Sequence, residues 1–119
     1  MNIKQWLESI GKDIDSMDSD RFVRHLTDDC IFRFGNQPEV KGKSATRDYV
    51  AGFFKMIGGC EHRIINFWTG KNSVVWQGEV IYTRLDGKKV TVNFVNVFYL
   101  QEELIKEYLI YIDNAPLFE

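Results

Sequence analysis

The sequence predicts an α+β domain in which a long, bent, mainly antiparallel sheet is covered by helices from the N-terminal half. Three observations carry this. Residues 74–100 form two arms rich in Val, Ile, Tyr, Phe and Trp, joined at Asp86-Gly87, a strong hairpin signal. Each arm runs beyond the usual strand length, so a curved sheet is expected. In residues 2–14, and again from Ser44 onward, apolar side chains recur at helical spacing instead.

In chain order, Ile3, Trp6, Leu7, Ile10 and Ile14 make residues 2–14 an amphipathic first helix. Asp18 or Ser19 caps a short second helix with Phe22, Val23 and Leu26 on its apolar side. Thr27, Asp28 and Asp29 break that helix, and Cys30–Phe34 is read as the first strand, closed by the turn Gly35-Asn36-Gln37-Pro38. Ser44 is expected to cap a third helix that runs to Ile57, burying Tyr49, Val50, Phe53 and Phe54, with Gly58-Gly59 ending it. Residues 61–69 form the next strand and 70–73 the turn back. After the central hairpin, residues 101–103 turn the chain into a last strand, LIKEYLIYID. The predicted order is α-α-β-α-β-β-β-β, with the helices on one face of the sheet.

A chain of 119 residues is one domain, 1–119, able to bury roughly two thirds of its unfolded surface. The 14% aromatic content is high, which suits a rich core or an apolar ligand cavity. A net charge of −2 argues against nucleic acid as a partner, because phosphate binding needs a basic face. Cys30 and Cys60 fit no metal or redox spacing and are expected to be free thiols; no metal or cofactor is expected. No apolar run is long enough to span a bilayer and no leader pattern opens the chain, so no membrane partner and a cytoplasmic location are expected.

LTDDCIFRF, the segment PEVKG, the helix after it and the ending IYIDNAPLF resemble the nuclear transport factor 2-like superfamily, and within it the SnoaL-like polyketide cyclase and ketosteroid isomerase group. The likeness covers nearly the whole chain. It implies a cone, a curved sheet wrapped around the helices with an apolar cavity inside, and a homodimer. It also implies where this chain departs from its relatives. The isomerase general base corresponds to Phe34, or to Arg33 if one residue is skipped, and neither can take a proton from carbon. Asn93-Phe94-Val95 stands where limonene epoxide hydrolases carry an Arg-x-Asp pair.

Residues paired across antiparallel strands share a face, so hairpin arithmetic assigns the pocket lining. A two-residue Asp86-Gly87 loop places Ile81 opposite Val92, Glu79 opposite Phe94 and Gln77 opposite Asn96. The neighbouring turns add His62, Ile64, Asn66, Trp68, Leu109, Tyr111 and Asp113 to that face. The other face then holds Phe67, Trp76, Val80, Tyr82, Val95, Val97, Tyr108, Ile110 and Ile112 and is expected to pair two copies. One β-bulge would swap part of the assignment. The resemblance decides between the faces: Asn96 in FVNVF falls where the isomerases place an acidic oxyanion-hole residue, so its face is taken as concave.

Three residues are candidates for chemistry. Asp113 matches the aspartate that SnoaL-like cyclases carry near the end of the last strand, and an apolar cavity would suit it to proton transfer. Asn96 is an oxyanion donor candidate and His62 an auxiliary acid or base. Trp68, Gln77, Glu79, Phe94, Tyr111, Phe34, Trp6 and Tyr49 are candidates for the pocket wall. The reading is a cofactor-independent isomerase, cyclase or hydrolase acting by acid–base chemistry on a small, apolar, oxygenated ligand. The alternatives are a non-catalytic binding protein and a protein-interaction module of the same fold.

Overall fold

Helix α1 (Ile3–Asp15) follows the expected spacing, burying Leu7, Ile10 and Ile14, in a computed structural model that describes residues 1–119. The Asn2 side chain caps it by accepting from the Gln5 amide at 3.0 Å. Asp18 caps α2 (Ser19–Val23), accepting from the amides of Asp20 and Arg21. Leu26 is not on that helix. It opens β1 (Leu26–Phe34), because a parallel pairing with the last strand claims the chain from Leu26 onward despite the helix-breaking Asp pair.

The short β2 (Val40–Lys41) pairs back on β1, and the Gly42 amide donates to the Cys30 carbonyl at 2.7 Å. That pin starts α3 (Lys43–Phe54) with Gly42 as its N-cap. Ser44 is therefore not the cap, and the helix stops short of Ile57. The strands β3 (Gly59–Gly70), β4 (Ser73–Thr83), β5 (Lys89–Gln101) and β6 (Leu104–Ile112) follow, and a final turn of helix, α4 (Ala115–Phe118), closes the chain. The sheet order is β2-β1-β6-β5-β4-β3, and only β1 with β6 is parallel. The helices α1–α3 fill the concave side, giving the cone expected.

Three irregularities of one residue correct the predicted faces. The central loop is Leu85-Asp86-Gly87, three residues with Gly87 at φ 87°, so Thr83 pairs with Lys89 and Trp76, not Gln77, lies opposite Asn96. A slip of one residue flips every side chain of β4. Within β3 a bulge at Ile65 separates Asn66↔Gln77 from Ile64↔Gly78. That second flip cancels the first, so His62 faces inward after all, opposite Val80. The Glu102-Glu103 turn has the expected length, but the register shifts between Tyr99 and Leu100 and flips β6. Tyr108, Ile110 and Ile112 point inward, Leu109 and Tyr111 outward.

Trp76, Val80, Tyr82, Tyr108 and Ile110 thus belong to the core and not to the outer face. Trp68, Gln77, Glu79 and Tyr111 belong outside. Burial energetics explain the choice. Each large apolar side chain taken from water contributes about 1.5–3 kcal/mol, whereas an inward Glu79 would lose its solvation. Outside, Glu79 sits 3.7 Å from Arg63. The Ile65 bulge also frees the Arg63 carbonyl to accept from the Trp76 indole at 3.3 Å.

Candidate functional site

The helices and the concave sheet enclose a cavity of about 40 Å³. Phe22 and Phe32 wall one end, and Phe94, Tyr108 and Ile110 wall the sheet side. This is room for a few waters and well below the 300–1,000 Å³ of a usual ligand pocket. Aromatic rings fill the rest of the cone: Phe98 meets Tyr108 edge-on at 4.6 Å and Trp76 meets Phe94 at 5.2 Å.

Polar groups face this small space. Asn96, 2% exposed on the central strand β5, has its side-chain oxygen buried without a hydrogen-bond partner. Burial pushes the Tyr82 and Tyr108 hydroxyls well above the usual tyrosine range. Burial first, and then the Asp15 carboxylate, push the Cys60 thiol up. These three groups stay protonated, as hydrogen-bond donors.

His62 forms part of the wall. Its ring lines the inner cavity, 5.5 Å from Phe94 and 6.0 Å from Trp76, and also lines an outer groove between α1 and β3. From the groove side the Asp15 carboxylate takes the His62 amide at 2.9 Å and the ring Nδ1 at 2.6 Å. A carboxylate at the last residue of a helix opposes the helix dipole, and the two His62 donors offset that cost. With Nδ1–H given to Asp15, the neutral ring leaves Nε2 as an acceptor. The other histidine, His25, pairs with Asp13 at 2.7 Å but lines neither space; it ties the end of α1 to the start of β1.

A second, open pocket of about 560 Å³ lies at the mouth of the cone. It shares Phe34, Phe53 and Ile112 with the inner cavity, and the rings of Phe34 and Phe53, tilted against each other at 4.9 Å, stand between the two. Tyr49 lines this vestibule. Asp113 does too, but it is exposed, lies beyond the last pair Phe94↔Ile112, and spends Oδ1 on the Ala115 amide at 3.0 Å. Half of the vestibule's lining is apolar, but the enclosure expected around Asp113 is not there, and Val92 is not its partner across the sheet.

The predicted residues divide accordingly. His62, Asn96 and Phe94 meet in the inner cavity, Phe34 joins it to the vestibule, and Tyr49 and Asp113 stand at the entrance. Trp6 packs edge-on against Phe98 in the core. Trp68 and Tyr111 are half exposed on the outer face, Tyr111 under Arg33, and Gln77 and Glu79 share that face. Asp15, Cys60, Tyr82 and Tyr108 were missed. A carboxylate at the unfavourable end of α1 was the available signal for Asp15. For Cys60 it was the alternation Cys60-x-His62 on one strand.

A curved six-stranded sheet closed by N-terminal helices over an apolar interior is the nuclear transport factor 2-like cone. The chain belongs to the SnoaL-like domain family, whose model matches residues 4–108. It is similar to a protein of unknown function from Burkholderia pseudomallei with this fold, 14% identical, covering 98% of this chain and 95% of that one at a TM-score of 0.85. The epoxide hydrolase/cyclase-like enzyme SalBIII, which acts in pyran ring formation in the polyether salinomycin, is 18% identical over 92% and 89% of the two chains, TM-score 0.79. An LEH-like epoxide hydrolase of M. tuberculosis is 18% identical over 96% and 84%, TM-score 0.76. At such identities the likeness is one of fold. No curated protein matches the sequence. No helix is long and apolar enough to cross a membrane.

Proposed function

We propose that this protein binds a small, apolar, oxygenated molecule inside the cone and works on it by cofactor-independent acid–base chemistry, as an isomerase, cyclase or hydrolase. The observation that carries the reading is the His62–Asp15 pair, whose ring edge opens on the same small cavity as the unpaired Asn96 amide. Asp15 holds the ring and its tautomer, Nε2 moves the proton, and Asn96 with the Tyr108 hydroxyl holds the ligand oxygen. By the resemblance, Phe34 or Arg33 stands where the isomerases carry their base, and His62 takes the acid–base role in its place. Asp113 serves at the vestibule and not at the chemistry. The ligand enters from the vestibule, and the Phe34 and Phe53 rings turn aside to admit it.

Membership in a family with cyclase and epoxide hydrolase-like neighbours supports this reading over a protein-interaction module. The outer face supports a homodimer: Trp68, Val75, Val97 and Leu109 form one cross-strand row there, with Tyr99 and Tyr111 beside it. The free thiols Cys30 and Cys60 support a reducing compartment, the cytoplasm.

A thermal-shift screen of cyclic ketones, quinones, phenols and epoxides finds ligands whatever the chemistry. Turnover of a hit is then compared in the parent and in His62→Gln. A fall of about 100-fold or more with ligand affinity kept is expected. Turnover unchanged by His62→Gln rejects the acid–base role, and binding without turnover leaves the binding-protein alternative standing in its place.

A further inference from the structure

The corner where α1 meets β3 holds more than a proton-transfer pair. Asp15, Cys60 and His62 each offer one ligand atom within 4.8 Å of the other two. Cys60 and His62 are two apart on β3 and share its inward face, while the end of α1 brings the carboxylate across to them. A fourth donor stands close: the Met17 thioether lies 3.9 Å from the Cys60 sulfur. Met17 holds φ at 61°, a left-handed conformation uncommon for such a residue, which is what turns the chain after α1 and sets the thioether here. Asp15 and His62 line the outer groove, whose volume is about 810 Å³, while Cys60 lines the inner cavity, so the cluster lies between the two spaces.

We infer that Asp15, Cys60 and His62 form a binding site for a zinc-class divalent ion, with Met17 or water as the fourth ligand. The donor chemistry selects the metal. Calcium and magnesium need several oxygen ligands, whereas one thiolate, one imidazole and one carboxylate suit zinc. Bonds of roughly 2.0–2.3 Å put tetrahedral ligands about 3.3–3.8 Å apart, so the wider pairs close and the 2.6 Å Asp15–His62 pair opens, with shifts near 1 Å. As the metal bonds form, the Cys60 thiol proton leaves to solvent and the His62 ring proton moves from Nδ1 to Nε2, which frees Nδ1 for the ion; no oxidant or reductant is involved.

This goes beyond the proposed acid–base role and bears on it, because a metal on His62 takes its ring out of proton transfer. Zinc is therefore expected to inhibit turnover. The test does not need turnover. Metal-free protein is titrated with cobalt(II) as the spectroscopic stand-in for zinc. One equivalent is expected to give near-ultraviolet thiolate-to-metal charge transfer and the visible bands of a tetrahedral ion, both abolished by added zinc. Cys60→Ser is expected to remove the charge transfer and Cys30→Ser to leave it, since Cys30 is buried against Thr46 elsewhere. His62→Gln, which removes a direct ligand, is expected to weaken cobalt binding by more than the roughly 10- to 100-fold that loss of an outer-shell partner costs.

Absence of charge transfer in the parent overturns the site whatever the variants do. Its survival in folded Cys60→Ser, checked by circular dichroism, overturns it as well. Should the acid–base reading fail instead, the spectrum is unaffected and only the turnover of metal-free protein shows it.

Discussion

Replacing Asn96 by Val separates a site residue from a structural one. The Asn96 side chain is 2% exposed and its oxygen has no partner, on a central strand whose other buried residues are Val92, Phe94, Phe98 and Leu100. A buried polar group left unpaired costs about 1–3 kcal/mol, and Val removes that cost while suiting the strand better. The adjoining cavity of about 40 Å³ leaves space for the change in shape. Asn96→Val is therefore expected to stabilise the protein by about 1–3 kcal/mol. At roughly 4 °C per kcal/mol for a domain of this size, the melting midpoint rises by about 4–12 °C. Calorimetry on parent and variant measures it, and the same pair is titrated with a screened ligand. Loss of the amide's hydrogen bond should weaken binding roughly tenfold. A variant that melts below its parent while binding ligand equally well refutes the reasoning, because the amide would then be holding the fold and not awaiting a ligand.

Other outcomes follow from the same geometry. Cys60, Tyr82 and Tyr108 ionise in the unfolded chain near 9.0, 10.0 and 10.0 but are held protonated in the fold, so stability is full below pH 9 and falls above it. At about 1.4 kcal/mol per pH unit per group the loss reaches roughly 5 kcal/mol by pH 11. Tyrosine absorbance should show two of the five tyrosines ionising only as the protein unfolds, and all five titrating together in an intact fold contradicts this. A Cβ at Gly78 would run into the Arg63 carbonyl and come within 2.5 Å of the Phe94 ring, so Gly78→Ala should cost about 3 kcal/mol by urea unfolding; a cost below 1 would mean the bulge yields. Val97→Arg on the outward row should turn a particle of twice the 14.0 kDa chain mass into one of single mass in sedimentation, and a parent that already sediments as one chain removes the dimer.

Element type and order were legible because they rest on long periodic stretches: the α1 stripe from Ile3 to Ile14, and two arms of β-branched and aromatic residues. The short β2 and α4 had no such signal, since two paired residues or one helical turn are set by contacts from elsewhere. Faces were harder. Period-two alternation records which residues go together, not which way they go, and one extra residue in a loop or bulge reverses the answer. Gly87 beyond Asp86 fits a two- or a three-residue hairpin equally well. Gly78 was the overlooked marker: a glycine in mid-strand signals a close approach, here of the Phe94 ring and the Arg63 carbonyl beside the bulge. His62 came out on the right face because two such slips cancel. The Asp15 partner could not be read at all, since it depends on where α1 ends against β3, a contact between residues 47 apart in the chain.

The most direct test is the ring nitrogens of His62, observed by long-range proton–nitrogen NMR on uniformly labelled metal-free protein, with and without a ligand from the screen. Nδ1 is expected to carry the proton in its bond to Asp15, with Nε2 bare and facing the cavity. The Nε2 resonance should move when the ligand enters and the Asp15→Asn variant should lose the tautomer preference. An Nε2–H tautomer whose signals ignore both ligand and the Asp15→Asn change would contradict an interior acid–base site built on His62.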